Sequence, residues 1–391
     1  MTRAAVERAE RAAPSAGPLD APAVISRVLV TDGGSFEALK VARCVGADRG
    51  ARCFAMGPRS GAAVRWSRWC EGYAPEPAGA DWAGAVATAA RRFAAEAVIA
   101  ATERGTLRLI EHRAALAESG VRLGPLPADE DYAAAGDKGA FARRLREAGI
   151  DQPETALLEE AVTSGVDWNA GSWIVKRRRG RGGLGARRLT SGAELDRFAS
   201  TAETDAWIVQ RFVEGSDVAV NAVVRDGRLV AWFTQEGLAT LGAFGPQTRM
   251  RISLARDEAV ERAERVLAAL GWQGPACVDF RREAGTGRLV CLEVNPRFGR
   301  ALLCGLAAGV NLPLALLGRF EQPAAREAVE VSYWKSAARS PWRAIGSALR
   351  GDGRVRTTLG SSLRDPAPEL AEALTRARRI VGGRRESGAD E

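Results

Sequence analysis

One stretch, residues 276–299, restricts the possible folds more than any other part of the chain; it reads ACVDFRREAGTGRLVCLEVNPRFG. Residues 278–282 and 289–294 are short apolar-rich runs and 284–287 supplies turn residues, so the pattern predicts a β-hairpin. A loop of three or five residues would set Asp279 opposite Glu293, whereas a loop of four would turn Asp279 to the other face unless a bulge restores the register. The period of two puts Asn295 on the same face as Glu293. Two carboxylates and an amide oxygen are hard ligands suited to Mg²⁺ or Mn²⁺, and Mg²⁺ takes few protein ligands and completes its shell from phosphate oxygens. The same spacing also fits a surface hairpin whose acids are solvated.

Upstream, Ser-Trp-Ile-Val-Lys at 172–176 reads as a strand and runs into Arg-Arg-Arg-Gly-Arg-Gly-Gly-Leu-Gly at 177–185. Gly180 to Gly185 satisfies G-x-G-x-x-G, but a dinucleotide fingerprint needs a helix directly after it, and Arg-Arg-Leu-Thr at 187–190 is strand-like. Arginine–glycine text also marks RNA-binding segments, yet those lie in low-complexity tails, and this loop is enclosed by patterned strands. The third reading suits the context: a glycine-rich hairpin lid whose backbone N–H groups and cations close over phosphates, with Lys176 at its base. Ser191 and Glu194 then form a capping-box start to the next helix.

Lysine is scarce. Of 56 basic residues only Lys40, Lys138, Lys176 and Lys335 are lysine. A compact ammonium and a planar guanidinium are not interchangeable, so an arginine-rich chain that keeps lysine at few places singles those places out. Lys138 opens an amphipathic segment, 140–148, that stops at Gly149 ahead of Pro153. There it opposes the positive end of the helix dipole, which is unfavourable unless an anion binds nearby. A solvated surface lysine is the plainer alternative.

The formal charge of +8 is spread along the chain among acids, which indicates solubility and a mild preference for anionic ligands, with no nucleic-acid surface implied. The single histidine, His112, excludes His-rich zinc sites and reads as structural. Six cysteines without a CxxC pair point to reduced, mostly buried thiols. No apolar run approaches a membrane span and the N-terminus lacks a signal-peptide segment, so a cytoplasmic protein without membrane contact is expected.

A length of 391 residues implies two or three domains. Residues 1–22 read as a flexible tail and 23–127 as an α/β domain: a strand at 28–30, a turn at 31–34, a helix at 36–45, a strand at 52–56, a helix near 82–94 and a strand at 97–101. Ligands bind beyond the carboxyl ends of such strands, which makes Asp32, Gly33 and Gly34 weak candidates for substrate contact; a plain tight turn is the bland alternative. Further strands are expected at 206–213, 218–224 and 228–234, with 214–217 a turn, 242–246 a flexible connection and 258–270 a helix. The extension 321–391 is basic, is punctuated by Pro and Gly and carries a helix at 368–381 ahead of a polar tail.

In order, a strand ending in lysine, a glycine-rich loop, Gln-Arg-Phe-Val-Glu-Gly at 210–215, Val-Asp-Phe at 278–280 and Glu-Val-Asn-Pro-Arg at 293–297 resemble the ATP-grasp superfamily. Its carboxylate–amine ligases and carbamoyl-phosphate-synthetase-like branch come nearest, and the resemblance covers roughly residues 27–320. The fold it implies is an α/β N-terminal domain, Rossmann-like, followed at 128–320 by an α+β ATP-grasp domain with a lid lobe near 137–205 and a second lobe at 206–320. The ligands it implies are ATP and Mg²⁺ or Mn²⁺. Lys138 and Lys176 match the lysines on the ATP phosphates, Gly182 and Gly183 belong to the phosphate loop, and Gln210, Arg211, Phe212 and Val213 match the hinge whose backbone holds adenine. Asp217 matches the ribose-binding acid; Asp279, Glu293 and Asn295 match the metal ligands; Arg297 matches the arginine that steadies the γ-phosphate or acyl intermediate.

Two departures stand out. The phosphate loop carries Arg177, Arg178, Arg179 and Arg181, from an acidic substrate or from general arginine bias, and Asp279 stands where many relatives have glutamate. The implied function is an ATP-dependent carboxylate–amine ligase acting on small-molecule carboxylate and amine substrates, for which relatives make a homodimer plausible. The alternatives are a carboxylase or other phosphate-transfer ATP-grasp enzyme, and a non-catalytic ATP- or RNA-binding protein.

Overall fold

The computed structural model describes residues 24–77, 81–163, 171–180, 186–240, 247–325, 327–332 and 355–371. The tail read at 1–22, the connection at 242–246, and residues 333–354 and 372–391 of the extension, Lys335 among them, lie outside the described residues. Two compact units divide the remainder. One holds Pro127–Pro296 with Ala324–Glu330; the other holds the described residues before Pro127, Arg297–Pro323 and those from Val331 onward.

The second of these units contains β1 (Arg27–Val30), β2 (Arg52–Gly57), β3 (Cys70–Pro75) and β4 (Ala97–Ile99) in the spatial order β3-β2-β1-β4, all parallel. β1 and β2 are apolar on both faces, as strands covered by helices on two sides must be. The helix Phe36–Val45 has the predicted bounds, and Ser35 caps it by accepting from the Ala38 N–H at 3.1 Å. Leu29, Phe54, Met56, Trp82, Val86, Leu109 and Leu116 share one core. His112 ends the helix Glu103–Glu111 and packs its ring 5.3 Å from that of Trp82, a structural role. All six cysteines are free thiols; five are buried and Cys70 is half-buried.

The turn after β1 is packed tightly. Asp32 takes φ +61°, its Oδ2 accepts from the Thr102 N–H at 3.2 Å, and the Gly33 N–H donates to the Met56 carbonyl at 2.8 Å. A Cβ on Gly33 would meet the Tyr73 ring at 2.9 Å.

The other unit holds two antiparallel sheets. The first comprises β5 (Thr155–Leu157), β6 (Trp173–Arg177), β7 (Arg187–Leu189) and β8 (Trp207–Arg211) in the order β5-β8-β6-β7, over a core of Leu158, Trp173, Val175, Leu189, Leu195 and Val209. The second takes from this unit β9 (Gly215–Arg225), β10 (Arg228–Thr240), β11 (Gln247–Ser253), β12 (Gly274–Glu283) and β13 (Leu289–Asn295), in the order β13-β12-β9-β10-β11. The helix Glu258–Ala269 buries Val260, Ala263, Val266 and Leu267. A parallel α/β domain followed by antiparallel sheets is the predicted fold class.

Three local expectations need correction. Residues 214–217 are not a turn: β9 begins at Gly215 because β12 offers it partners along its whole length, down to Gly215 opposite Glu283. Only glycine suits that position, with φ +147° and a Cβ that would lie 1.8 Å from the Arg282 carbonyl oxygen. The strand expected at 228–234 runs on to Thr240 because β11 extends the sheet beside it. Ser191 does accept from the Glu194 N–H at 3.3 Å, but Glu194 reaches the Thr190 N–H at 2.7 Å where a capping box would use the Ser191 N–H.

Candidate active site

β12 and β13 bring the two acids together by an indirect route. The Glu283 N–H donates to the Arg288 carbonyl at 2.8 Å, so residues 284–287 form the even-length turn that would separate Asp279 from Glu293. Phe280 pairs with Cys291, yet Asp279 pairs with Glu293. Leu292, left without a partner, is a β-bulge that restores the register. Asn295 Nδ2 then donates to Asp279 Oδ2 at 2.9 Å and to Glu293 Oε1 at 3.4 Å. The amide thus turns its NH₂ end to the acids, and ligation through Oδ1 requires it to rotate.

Two lysines face this cluster from other elements. Lys138 is the first residue of the helix Lys138–Glu147, and its Nζ lies 3.6 Å from Glu293 Oε2 and 2.7 Å from the Gly180 carbonyl oxygen. Lys176, on β6, donates to Gln210 Oε1 at 2.8 Å, and Gln210 Nε2 donates to Thr155 Oγ1 at 2.9 Å. Burial pushes the Lys176 ammonium below its ordinary value; Glu293 and Asp279 draw it back up, while Lys138 and Arg281 press it down.

The segment 210–213 leaves β8 beside these groups. The Arg211 and Phe212 N–H groups are taken by the Glu154 carbonyl and the Ser172 carbonyl, each at 2.8 Å, and the Val213 carbonyl accepts from Arg281 Nε at 3.0 Å. Among the described residues the Val213 N–H has no acceptor, which leaves it available to a ligand's edge. Arg281 also pairs through Nη1 with Asp217.

The arginines of the glycine loop have local partners. Arg178 Nε binds Asp137 Oδ2 at 2.8 Å, Arg179 lies 3.5 Å from the same carboxylate, and Arg177 stacks over the Trp207 ring at 4.5 Å. Asp137 caps the Lys138 helix through the Gly139 and Ala140 N–H groups. Burial alone would raise its carboxyl; the Arg178 contact and the Ala140 N–H outweigh burial and hold it below the usual range. Arg181, Gly182 and Gly183 lie outside the described residues.

Residues 135–300 match a family model described as an ATP-grasp domain. These residues are an ATP-grasp domain. No curated protein sequence matches the chain. Among solved structures, the N5-carboxyaminoimidazole synthetase of Staphylococcus aureus complexed with ADP aligns with a TM-score of 0.61 at 14% identity, covering 78% of this chain and 81% of that one. A biotin carboxylase complex with β,γ-ATP from Campylobacter jejuni gives 0.58 at 15% identity over 78% and 72%. The biotin carboxylase domain dimer of Hydrogenobacter thermophilus 2-oxoglutarate carboxylase, with MgADP and bicarbonate, gives 0.60 at 18% over 78% and 73%. At these identities the likeness is one of fold.

Within the ATP-grasp domain the structure gathers Lys138, Lys176, Gln210, Asp279, Glu293 and Asn295 through direct contacts or shared charge. Arg297 follows Asn295 by two residues but belongs to the other compact unit, where its Nη1 donates to the Phe298 carbonyl at 3.1 Å. The residue missed from the sequence is Arg281. The signal was present, because period two from Asp279 sets Arg281 on the same strand face. Among the described residues no group of three or more His, Cys, Asp or Glu gathers to hold an ion.

Proposed function

We propose that the chain is an ATP-dependent carboxylate–amine ligase, which forms an amide or peptide bond through an acyl phosphate and releases ADP and phosphate. The observation that carries this reading is the facing pair Asp279 and Glu293, joined by Asn295 and approached by Lys138, inside an ATP-grasp domain. Two hard oxygen donors beside two ammonium groups suit a divalent cation with a nucleotide triphosphate, and neither suits a redox or thiol reaction.

Asp279, Glu293 and the turned Asn295 oxygen would hold Mg²⁺, which when bound would supply positive charge to neutralise the phosphates. Lys138 and Lys176 hold the negative oxygens of the transferring phosphoryl group. Val213 offers its N–H to the adenine edge, and Arg281 fixes both Val213 and the ribose-facing Asp217. A carboxylate is a poor electrophile; an oxygen of the acid takes the γ-phosphoryl group and ADP leaves. The amine then attacks the acyl carbon, phosphate departs with the electron pair of the broken C–O bond, and the amine nitrogen loses a proton. The site has to position groups and balance charge, and no histidine is needed. The loop 177–185, including Gly182 and Gly183, would exclude water from the acyl phosphate.

A carboxylase reading has its own support, since the structural neighbours include a carboxyaminoimidazole synthetase and biotin carboxylases. Incubation with ATP, Mg²⁺, hydroxylamine and pooled organic acids separates the two. A hydroxamate with stoichiometric ADP is expected; ADP formed only with bicarbonate would favour the carboxylase, and no ADP with any acid would remove both.

A further inference from the structure

Asn221 stands in the middle of β9 and is fully buried. Its Nδ2 donates to Gln235 Oε1 on β10 at 2.9 Å, and Gln235 Nε2 donates to Gln247 Oε1 on β11 at 3.0 Å. Three neutral amides thus form one line across three strands. Asn221 Oδ1 is buried and has no hydrogen-bond partner among the described residues. A carbonyl oxygen left in that state costs stability, and a branched apolar side chain would fill a strand interior without the cost. Stability therefore does not account for the line.

Strand register sets these amides beside the acids. Asp279 pairs with Glu293 on one side and with Ala219 on the other, and Ala219 pairs with Gln235, so Glu293, Asp279, Ala219 and Gln235 form one row on one face of the sheet. Asn221 lies two residues from Ala219, opposite Cys277, in the next row of the same face. Asp279 and Gln235 are two strand spacings apart, about 10 Å, and Ala219 puts only a methyl group between them. Gly237 follows Gln235 on that face, and a Cβ there would come 2.7 Å from Gln247 Nε2. Small residues at 219 and 237 thus flank Gln235 and leave it uncrowded. Gln235 and Gln247 are half-buried, while Phe233 and Ile252 of the same face are fully buried.

The line also has unused capacity. Gln235 commits one N–H and one lone pair to its neighbours and keeps one of each; Gln247 keeps both N–H groups. Among the described residues no ionised side chain hydrogen-bonds to any of the three amides. Such a surface matches an uncharged group that both donates and accepts, as a carboxamide does. A carboxylate or ammonium set against it would lose water and gain no counter-charge.

We propose that Gln235 and Gln247 are specificity-determining residues that bind a carboxamide group of the acid substrate beside Asp279, with Asn221 positioning Gln235. That the bound molecule is the acid to be phosphorylated rests on the function proposed above; that a carboxamide binds at Gln235 does not.

The test is calorimetric titration of the full chain, with MgADP saturating, by three acids of one length and shape: succinamate, succinate and the apolar acid in which isopropyl replaces the carboxamide. The set built on glutaramate covers a reach one bond longer. Succinamate or glutaramate should bind about tenfold or more tightly than its dicarboxylate and its apolar counterpart, the scale of one or two neutral hydrogen bonds. Gln235→Leu should abolish that ratio; Gln247→Leu, at the outer end of the line, is the second variant should the first fold poorly, and MgADP binding reports that each is folded. A wild type that binds none of these acids, or that prefers neither amide, overturns the proposal. So does a preference that survives in the folded variants, or an equal weakening of all the acids, which marks a merely structural line. If no acid yields a hydroxamate while Gln235-dependent amide binding persists, the specificity residues stand and the ligase assignment alone falls.

Discussion

Asp279 and Glu293 sit directly opposite each other on β12 and β13 although the turn between the strands, residues 284–287, has the wrong parity for that pairing. The bulge at Leu292 corrects the parity, so the strand distortion lies one residue from the acid it aims. Bulges beside active sites often re-aim a side chain in this way. Glu293→Gln keeps the shape and removes the charge. It should lower ATP turnover by about a hundredfold or more, the scale of one preorganised electrostatic contact, with an unchanged circular dichroism spectrum. Wild-type turnover in this variant would remove Glu293 from the site.

Lys176 carries a linked pH dependence. Its folded-state pKa is lowered, so between that depressed value and 10.5 the folded chain binds fewer protons than the unfolded chain, and stability rises with pH across that window. Below the depressed value the ammonium is charged in both states, and the cost of burying it is full and independent of pH. Nucleotide phosphates favour the charged form, so ADP binding inside the window should take up a proton and weaken as pH rises. Calorimetry in two buffers of different ionisation heat measures this uptake, and Lys176→Met should abolish it. Proton uptake unchanged in that variant would mean another group is responsible.

Arg281 ties the Val213 carbonyl to Asp217, which would make it a positioning residue for the proposed adenine-binding segment 210–213. Arg281→Met should raise KM for ATP by about tenfold, as expected for loss of charge-assisted hydrogen bonds, and leave kcat within about twofold. A fall in kcat with KM unchanged would place Arg281 at the phosphoryl transfer instead.

Gly215 sets how closely β9 approaches the turn end of β12. A Cβ there would lie 1.8 Å from the Arg282 carbonyl oxygen on a backbone at φ +147°. Gly215→Ala should therefore destabilise the chain by at least about 1–3 kcal/mol, measured by urea unfolding. Unchanged stability would contradict the pairing of Gly215 with Glu283.

The legible parts of this chain were those where local pattern and tertiary demand agree. The helix Phe36–Val45 combines an N-cap serine with a continuous buried face, and its bounds could be read directly. β3, Cys-Glu-Gly-Tyr-Ala-Pro, was not readable, because glycine and proline in a six-residue strand carry a turn signal and β2 alone supplies the reason to extend. The start of β9 failed for the same reason at Glu-Gly-Ser-Asp. In the site, acids and lysines were visible because their types are rare or grouped. Arg281 was hidden among the chain's 52 arginines, which are the 56 basic residues less four lysines, and only its alternation with Asp279 marks it.

The most direct measurement is equilibrium binding of Mn²⁺·ADP, followed by electron paramagnetic resonance of the manganese ion. One Mn²⁺ per chain should bind in the presence of ADP, and Asp279→Asn with Glu293→Gln should lose it while the fold persists. A wild-type chain that binds no Mn²⁺·ADP, or a double variant that binds it as well as the wild type, would contradict a nucleotide–metal site at Asp279 and Glu293.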